Sequence, residues 1–168
     1  TLNNGTGTDL SQAGTFNIYG SITNYGTITA SATTNVYGTL DINGSMSVSG
    51  VMYIYGTLDV DGSTTVTNTM YIDGTVNVTD DLGGTGNIYF NNGSHYRHIR
   101  NGGGLPTVSW NSGSSCEIYG SVANYPTNLN QNFGHFTWNC SGQTGIFNLP
   151  TFGEVHGDFN LISTGTGL

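Results

Sequence analysis

The eighteen residues GTLDINGSMSVSGVMYIY, positions 38–55, are followed at once by GTLDVDGSTTVTNTMYID, positions 56–73. The near-duplication is itself built from sixes. From Gly14 to Asn91 the chain divides without a gap into GTFNIY GSITNY GTITAS ATTNVY GTLDIN GSMSVS GVMYIY GTLDVD GSTTVT NTMYID GTVNVT DDLGGT GNIYFN, thirteen hexads in all. Position 1 is glycine in ten of them, and the exceptions are Ala32, Asn68 and Asp80. Asparagine and aspartate are the non-glycine types that best tolerate positive φ, so the pattern predicts a bend at position 1 whose backbone conformation selects the residue.

Positions 3 and 5 carry the apolar side chains, among them Leu40 and Ile42, Met46 and Val48, Leu58 and Val60, Met70 and Ile72. Residues two apart in an extended chain face the same side, so each hexad reads as a short strand with one apolar face and a turn at its end. An apolar spacing of two with glycine every six does not fit a helix. One such strand cannot bury its own face, whereas strands wound round a common axis bury all of theirs together. The eighteen-residue near-repeat then sets three hexads to a turn, with coils at 20–37, 38–55, 56–73 and 74–91 after a partial first one. The expected fold is all-β: a three-sided parallel β-helix, or β-solenoid, whose neighbouring coils pair at about 4.8 Å. Left-handed hexapeptide helices usually pair a large aliphatic with a small residue two places earlier. Here both inward positions are large, and the expected winding is right-handed.

This register stacks like on like. Thr39, Thr57 and Thr75 fall in one column, Tyr53, Tyr71 and Tyr89 in a second, and Tyr19, Tyr37 and Tyr55 in a third. From Asn92 the hexad rule stops at NNGSHYRHIRNGGGLPTVSWNSGSS, which holds both arginines and a glycine run. Alternating strands then return, and the expectation is a hexad solenoid over 1–91 continued by wider coils over 92–168. Aligning Phe136, Trp138 and Cys140 with Phe159, Leu161 and Ser163 implies a coil of 23 residues, and aligning Val108 with Phe136 implies one of 28.

Composition sets bounds on function. The 168 residues include 27 glycines and only three prolines, yet the 35% hydrophobic residues recur on a strict period, which marks an ordered chain. Ten acids against two arginines give a net charge of −8, so nucleic acid is repelled and is not expected as a partner. No run of eighteen apolar residues and no basic, hydrophobic leader is present, so direct membrane insertion is not expected. The start at Thr1 and the Thr/Gly run at the end read as a piece of a longer chain.

The stretch NGGGLPTVSWNSGSSCEIYGSV…LNQNFGHFTWNCSGQTGIFNL…GDFNLIS resembles long β-helical surface or secreted proteins of Bacteroidota exported by the type IX secretion system. The likeness covers about residues 90–168, while the hexad half is similar to many solenoids, bactofilin filaments included. It implies a secreted or cell-surface, adhesin-like protein. Its partners would be other segments of the same long protein, secretion or outer-membrane components, glycans, or end-to-end copies of itself.

Candidate chemistry is sparse. Asp41, Asp59, Asp61, Asp73, Asp80 and Asp81 gather on the repeat half. Asp41 and Asp59 share a column, where carboxylates either accept a raised pKa, hydrogen-bond the threonines, or share a cation such as Ca²⁺; a solvated acidic face is the plainer reading. HYRHIR, positions 95–100, brings His95 and His98 together with Arg97 and Arg100. It lacks ligand spacing or a neighbouring nucleophile, so it reads as a strand or turn at the junction with its charges solvated or paired to nearby acids, and His135 and His156 stand alone. No catalytic residue, cofactor or metal is assigned.

The six tyrosines are the sharper signal. They read either as a stabilising stack or as a docking strip for glycan rings or another protein. Cys116 and Cys140, 24 residues apart, read either as a disulfide between neighbouring wide coils or as two free buried thiols. Taken together these readings anticipate a non-enzymatic structural rod, with a tyrosine-lined binding module and a self-polymerising subunit as the alternatives.

Overall fold

A computed structural model describes residues 2–5, 9–12, 14–148 and 151–167. All regular structure among them is strand, and every strand pairs in parallel with the one a coil above or below. The strands fall into three sheets, each one side of a solenoid. The first sheet has nine strands, at Leu2–Asn4, Ser21–Asn24, Thr39–Ile42, Thr57–Val60, Thr75–Val78, His95–His98, Ser115–Ile118, His135–Asn139 and Phe159–Ser163. The second has five and ends at Asp81–Gly84; the third has six and ends at Ser109–Trp110. Through the hexads the register is eighteen residues, with Thr57 opposite both Thr39 and Thr75, and Tyr71 opposite both Tyr53 and Tyr89.

The period-two pattern becomes a dry axis. Leu40, Ile42, Met52, Ile54, Leu58, Val60, Met70 and Ile72 are all buried, and each column of the core draws on the same hexad position in successive coils. Within the hexads three inward positions are polar. Asn24 satisfies its amide on Gly26 O at 2.9 Å and Ser45 O at 3.3 Å, whereas the buried Thr34 and Thr64 hydroxyls have no partner among the described residues.

The glycine at position 1 has a different cause from the one the sequence suggests. None of these glycines is among those with positive φ, which are Gly84, Gly93, Gly102, Gly103 and Gly165. What excludes a side chain is the coil beneath. A Cβ at Gly38, Gly44, Gly50, Gly56, Gly62, Gly74 or Gly86 would run into the carbonyl oxygen of the residue eighteen positions earlier. The close approach comes from a shared acceptor: at the Gly56 corner, Tyr55 N and Gly56 N both donate to Val36 O, at 2.8 and 2.9 Å. Where position 1 carries a polar side chain, a threonine precedes it. Thr67 Oγ1 before Asn68 donates to Val48 O at 3.2 Å, and Thr79 Oγ1 before Asp80 donates to Val60 O at 3.3 Å. Asn68 then reaches Ser49 O with its own amide at 3.1 Å.

Past Asn91 the first sheet continues on a longer period. His95 lies opposite Thr75, Ser115 opposite His95 and His135 opposite Ser115, a step of twenty residues each time. The two added residues form a recurring corner, Asn-x-Gly-Ser, at 91–94 and 111–114. In each, the serine hydroxyl donates to the asparagine carbonyl, Ser94 to Asn91 O at 2.6 Å and Ser114 to Asn111 O at 2.7 Å. Gly93 sits at φ 86°, the left-handed region that favours glycine. The final step is the 23-residue one, with Phe159 opposite Phe136 and Leu161 opposite Trp138, and the ladder slips between Trp138 and Asn139.

Two alignments made on the sequence are corrected. Phe136 stacks on Cys116, not on Val108, whose amide instead donates to Gln131 Oε1 at 3.2 Å. The same register removes the disulfide. With Cys116 opposite Phe136, Cys140 lies four residues further along its chain, roughly 13 Å at strand rise, beyond the reach of an S–S bond. Both thiols are free and buried, and Cys140 Sγ donates to Ile118 O at 3.4 Å.

Candidate functional site

The third sheet carries the most distinctive surface, and the hexad rule explains how. Positions 4 and 6 point outward on either side of the inward position 5. Read up the coils, position 4 runs Asn17, Asn35, Tyr53, Tyr71, Tyr89, while position 6 runs Tyr19, Tyr37, Tyr55, Asp73, Asn91. Each column changes chemistry at hexad 50–55, the one with tyrosine at both positions. The six rings therefore form a single ladder that crosses from one column to the other. Successive centroids lie 5.0, 5.0, 6.1, 5.2 and 5.3 Å apart through Tyr19, Tyr37, Tyr55, Tyr53, Tyr71 and Tyr89, and no pair is tilted by more than 17°.

Amides complete both columns. Asn35 Nδ2 donates to Asn17 Oδ1 at 2.8 Å beside the lower tyrosines. Beside the upper ones, Asn91 Nδ2 donates to Asp73 Oδ1 at 3.0 Å and Asn111 Nδ2 to Asn91 Oδ1 at 3.2 Å. Sequence reasoning placed the six tyrosines on one side but missed both the crossing and the amide ladders. The signal was present as tyrosine at both outward positions of GVMYIY. One coil beyond Tyr89 stands Ser109, on the rim of an open cleft of about 490 Å³ that Trp110, Asn130, Asn132 and His156 also line.

The first sheet carries the charged groups. Asp41 lies opposite Asp59 as the column requires. Burial, with the nearby charges of Asp61 and Asp59, raises the Asp41 carboxyl above its ordinary value despite the Asn43 hydrogen bond. Asp59 accepts from Asn77 Nδ2 at 2.7 Å, and above Asn77 the column turns basic and then acidic with Arg97 and Glu117. Glu117, only 6% exposed, takes Arg97 Nε at 2.8 Å, His95 Nε2 at 3.3 Å and Asn139 Nδ2 at 3.0 Å. Burial pushes its carboxyl up, but the Asn139 and Arg97 hydrogen bonds and the Arg97 and His95 charges hold it below the usual range. Arg100 meets Asp81 at 2.9 Å and Asp80 at 3.3 Å. HYRHIR is thus a strand and its exit, with its arginines paired to acids. Among the described residues no three His, Cys, Asp or Glu side chains are grouped to hold a metal ion.

His98 is inward and fully buried. Its Nε2 donates to Gly102 O at 2.7 Å, which leaves Nδ1 to accept from Tyr96 Oη at 3.3 Å. Burial and the Arg100 charge lower its pKa, outweighing the Gly102 bond. An unfolded histidine takes up a proton near 6.5 while folded His98 does not, so stability falls as the pH drops below about 6.5. Glu117 adds a second loss at lower pH, as acid protonates its depressed carboxyl. Thermal unfolding followed from pH 7 to pH 3 is expected to show both losses, and His98→Gln to flatten the upper one.

No helix of the described residues is long and apolar enough to cross a membrane. No protein-family model, curated protein or solved structure matches the chain.

Proposed function

We propose that this solenoid is a rigid, non-catalytic structural segment of a secreted or cell-surface bacterial protein of the adhesin type, carried by type IX secretion. The observation that supports its rigidity is the first sheet: nine strands paired in parallel from end to end, with outward side chains that are mostly small and polar or paired charges. Such a ladder resists bending, because bending must stretch hydrogen bonds on one side of the axis and compress packed side chains on the other. The acidic, lysine-free outer surface keeps a repetitive β-structure soluble and apart from its neighbours.

Spin labels at Thr23 and Thr137 test the rigidity. Both stand in the outward column of the first sheet, six strand steps apart, or about 29 Å at 4.8 Å per step. Pulsed electron resonance is expected to give one narrow distance distribution near that value, and a broad one would remove the rod. A further distance peak that grows with protein concentration would instead mark end-to-end assembly of the bactofilin kind. Export is tested separately, by labelling intact producing cells with an antibody to this segment.

A further inference from the structure

We propose that the third face is a binding strip for a neutral, extended β-linked polysaccharide lying parallel to the solenoid axis. Asymmetry is the first observation. Every side of the hexad half could stabilise itself by stacking, yet the position-4 columns of the other two are Thr23, Asp41, Asp59, Asn77 and Thr29, Ser47, Thr65, Gly83, and their position-6 columns, Tyr25, Asn43, Asp61, Thr79 and Ser31, Ser49, Thr67, Thr85, hold a single tyrosine. Six of the chain's ten tyrosines stand on the one remaining side. Tyr19, Tyr37 and Tyr55 are 74%, 46% and 45% exposed there, a contiguous aromatic surface of the kind that marks an interaction site.

Ring geometry then narrows the ligand. With neighbours 5.0–5.3 Å away along each column, the inner rungs spend their faces on one another. What they offer outward is one ring edge and one phenol hydroxyl per coil, two at hexad 50–55, flanked by the Asn17–Asn35 amides below and the Asp73–Asn91–Asn111 row above. Hydroxyls and amides that both donate and accept, set beside apolar ring edges, suit a polyhydroxylated chain better than a flat aromatic one, which would need the faces.

Charge and repeat distance narrow it further. Both arginines are committed to acids elsewhere, Asp73 lies within the strip, and the chain as a whole is acidic, so an anionic polymer is disfavoured and a neutral one is not. A ligand that uses successive rungs must itself repeat about every 4.8 Å, the step between coils. An extended β-1,4-linked glycan advances by close to that distance per sugar, which places one sugar on each coil and leads its far end to Ser109 and the cleft beside Trp110.

Calorimetric titration of the intact chain with cellohexaose and with chitohexaose tests this, with a hexamer of galacturonic acid as the anionic comparison. Saturable binding of a neutral hexasaccharide is expected, weakened about tenfold or more in Tyr53→Ala/Tyr71→Ala and unchanged in Tyr25→Ala, an exposed tyrosine off the strip. If the alanine pair does not fold, Tyr53→Phe/Tyr71→Phe keeps the stack and removes only the hydroxyls; weakened binding supports the proposal and unchanged binding overturns it. The proposal also fails if neither neutral hexasaccharide binds up to millimolar concentration, if a folded alanine pair binds as wild type does, or if the galacturonate binds equally well. None of these outcomes bears on the rigidity of the rod, which the spin labels measure separately.

Discussion

Trp138→Ala is expected to lower the unfolding free energy by about 4 kcal/mol, the upper part of the range for emptying a large buried aromatic site. The indole is 2% exposed and lies in the inward column between Ile118 and Leu161. Its truncation opens a cavity that the neighbouring coils cannot close, because their hydrogen-bond ladders fix the spacing between them. A second cost is polar. Trp138 Nε1 donates to Gln143 Oε1 at 2.8 Å, and Gln143, itself 3% exposed, turns its amide to Gly145 O at 2.9 Å. Removing the indole leaves that buried oxygen without its donor. Urea unfolding measures the effect, and Trp138→Phe separates the two parts by restoring most of the packing without the donor. A loss under about 1 kcal/mol for the alanine variant would mean that the wide coils are not packed as described.

Gly56→Ala is expected to cost about 3 kcal/mol, since the added methyl meets main chain rather than a movable side chain. It would overlap Gly38 O and lie 2.8 Å from the Tyr37 carbonyl carbon. Relief requires the two coils to part, which weakens the paired hydrogen bonds of Tyr55 and Gly56 to Val36 O. Gly83→Ala is the control. Gly83 points outward, with no atom within 4 Å of the place a methyl would take and no positive φ, so this change is expected to be neutral or slightly stabilising, through a less flexible unfolded chain. Equal losses at the two sites would refute the steric account of the corner.

The contrast between Gly56 and Gly83 also marks what a sequence can and cannot reveal. Alternation at positions 3 and 5 is a property of neighbours along the chain, and it located the strands and the axis, while the near-duplication of 38–55 in 56–73 set the eighteen-residue step, without any coordinates. The reason for glycine at position 1 is a property of residues eighteen apart, and local backbone preference, the only argument open to a reader of the sequence, pointed to positive φ. Whether Cys116 and Cys140 pair was left open between a disulfide and two free buried thiols for a related reason. The twenty-residue period is written in NNGSHY and NSGSSC, but only two polar corners and no hexads carry it, so the spacing of 24 between cysteines looked like a coil. The tyrosine site was half legible: identical residues eighteen apart announce a stack, whereas the crossing from Tyr55 to Tyr53 needs contact between two positions of one hexad. Glu117 gave no sign at all, because its partners come from the coils on either side of it, Arg97 and His95 from one and Asn139 from the other.

The three sheets do not end together. Up to Gly84 the molecule is a triangular beam braced on every side, but the second sheet stops there, the third stops at Trp110, and the first goes on alone to Ser163. Torsional and tensile stress shared among three ladders in the lower half thus passes to one in the upper, with irregular connections in place of the other two walls. A pull along the axis would peel the upper half first and leave the hexad half, with its aromatic ladder, as the last part to give way.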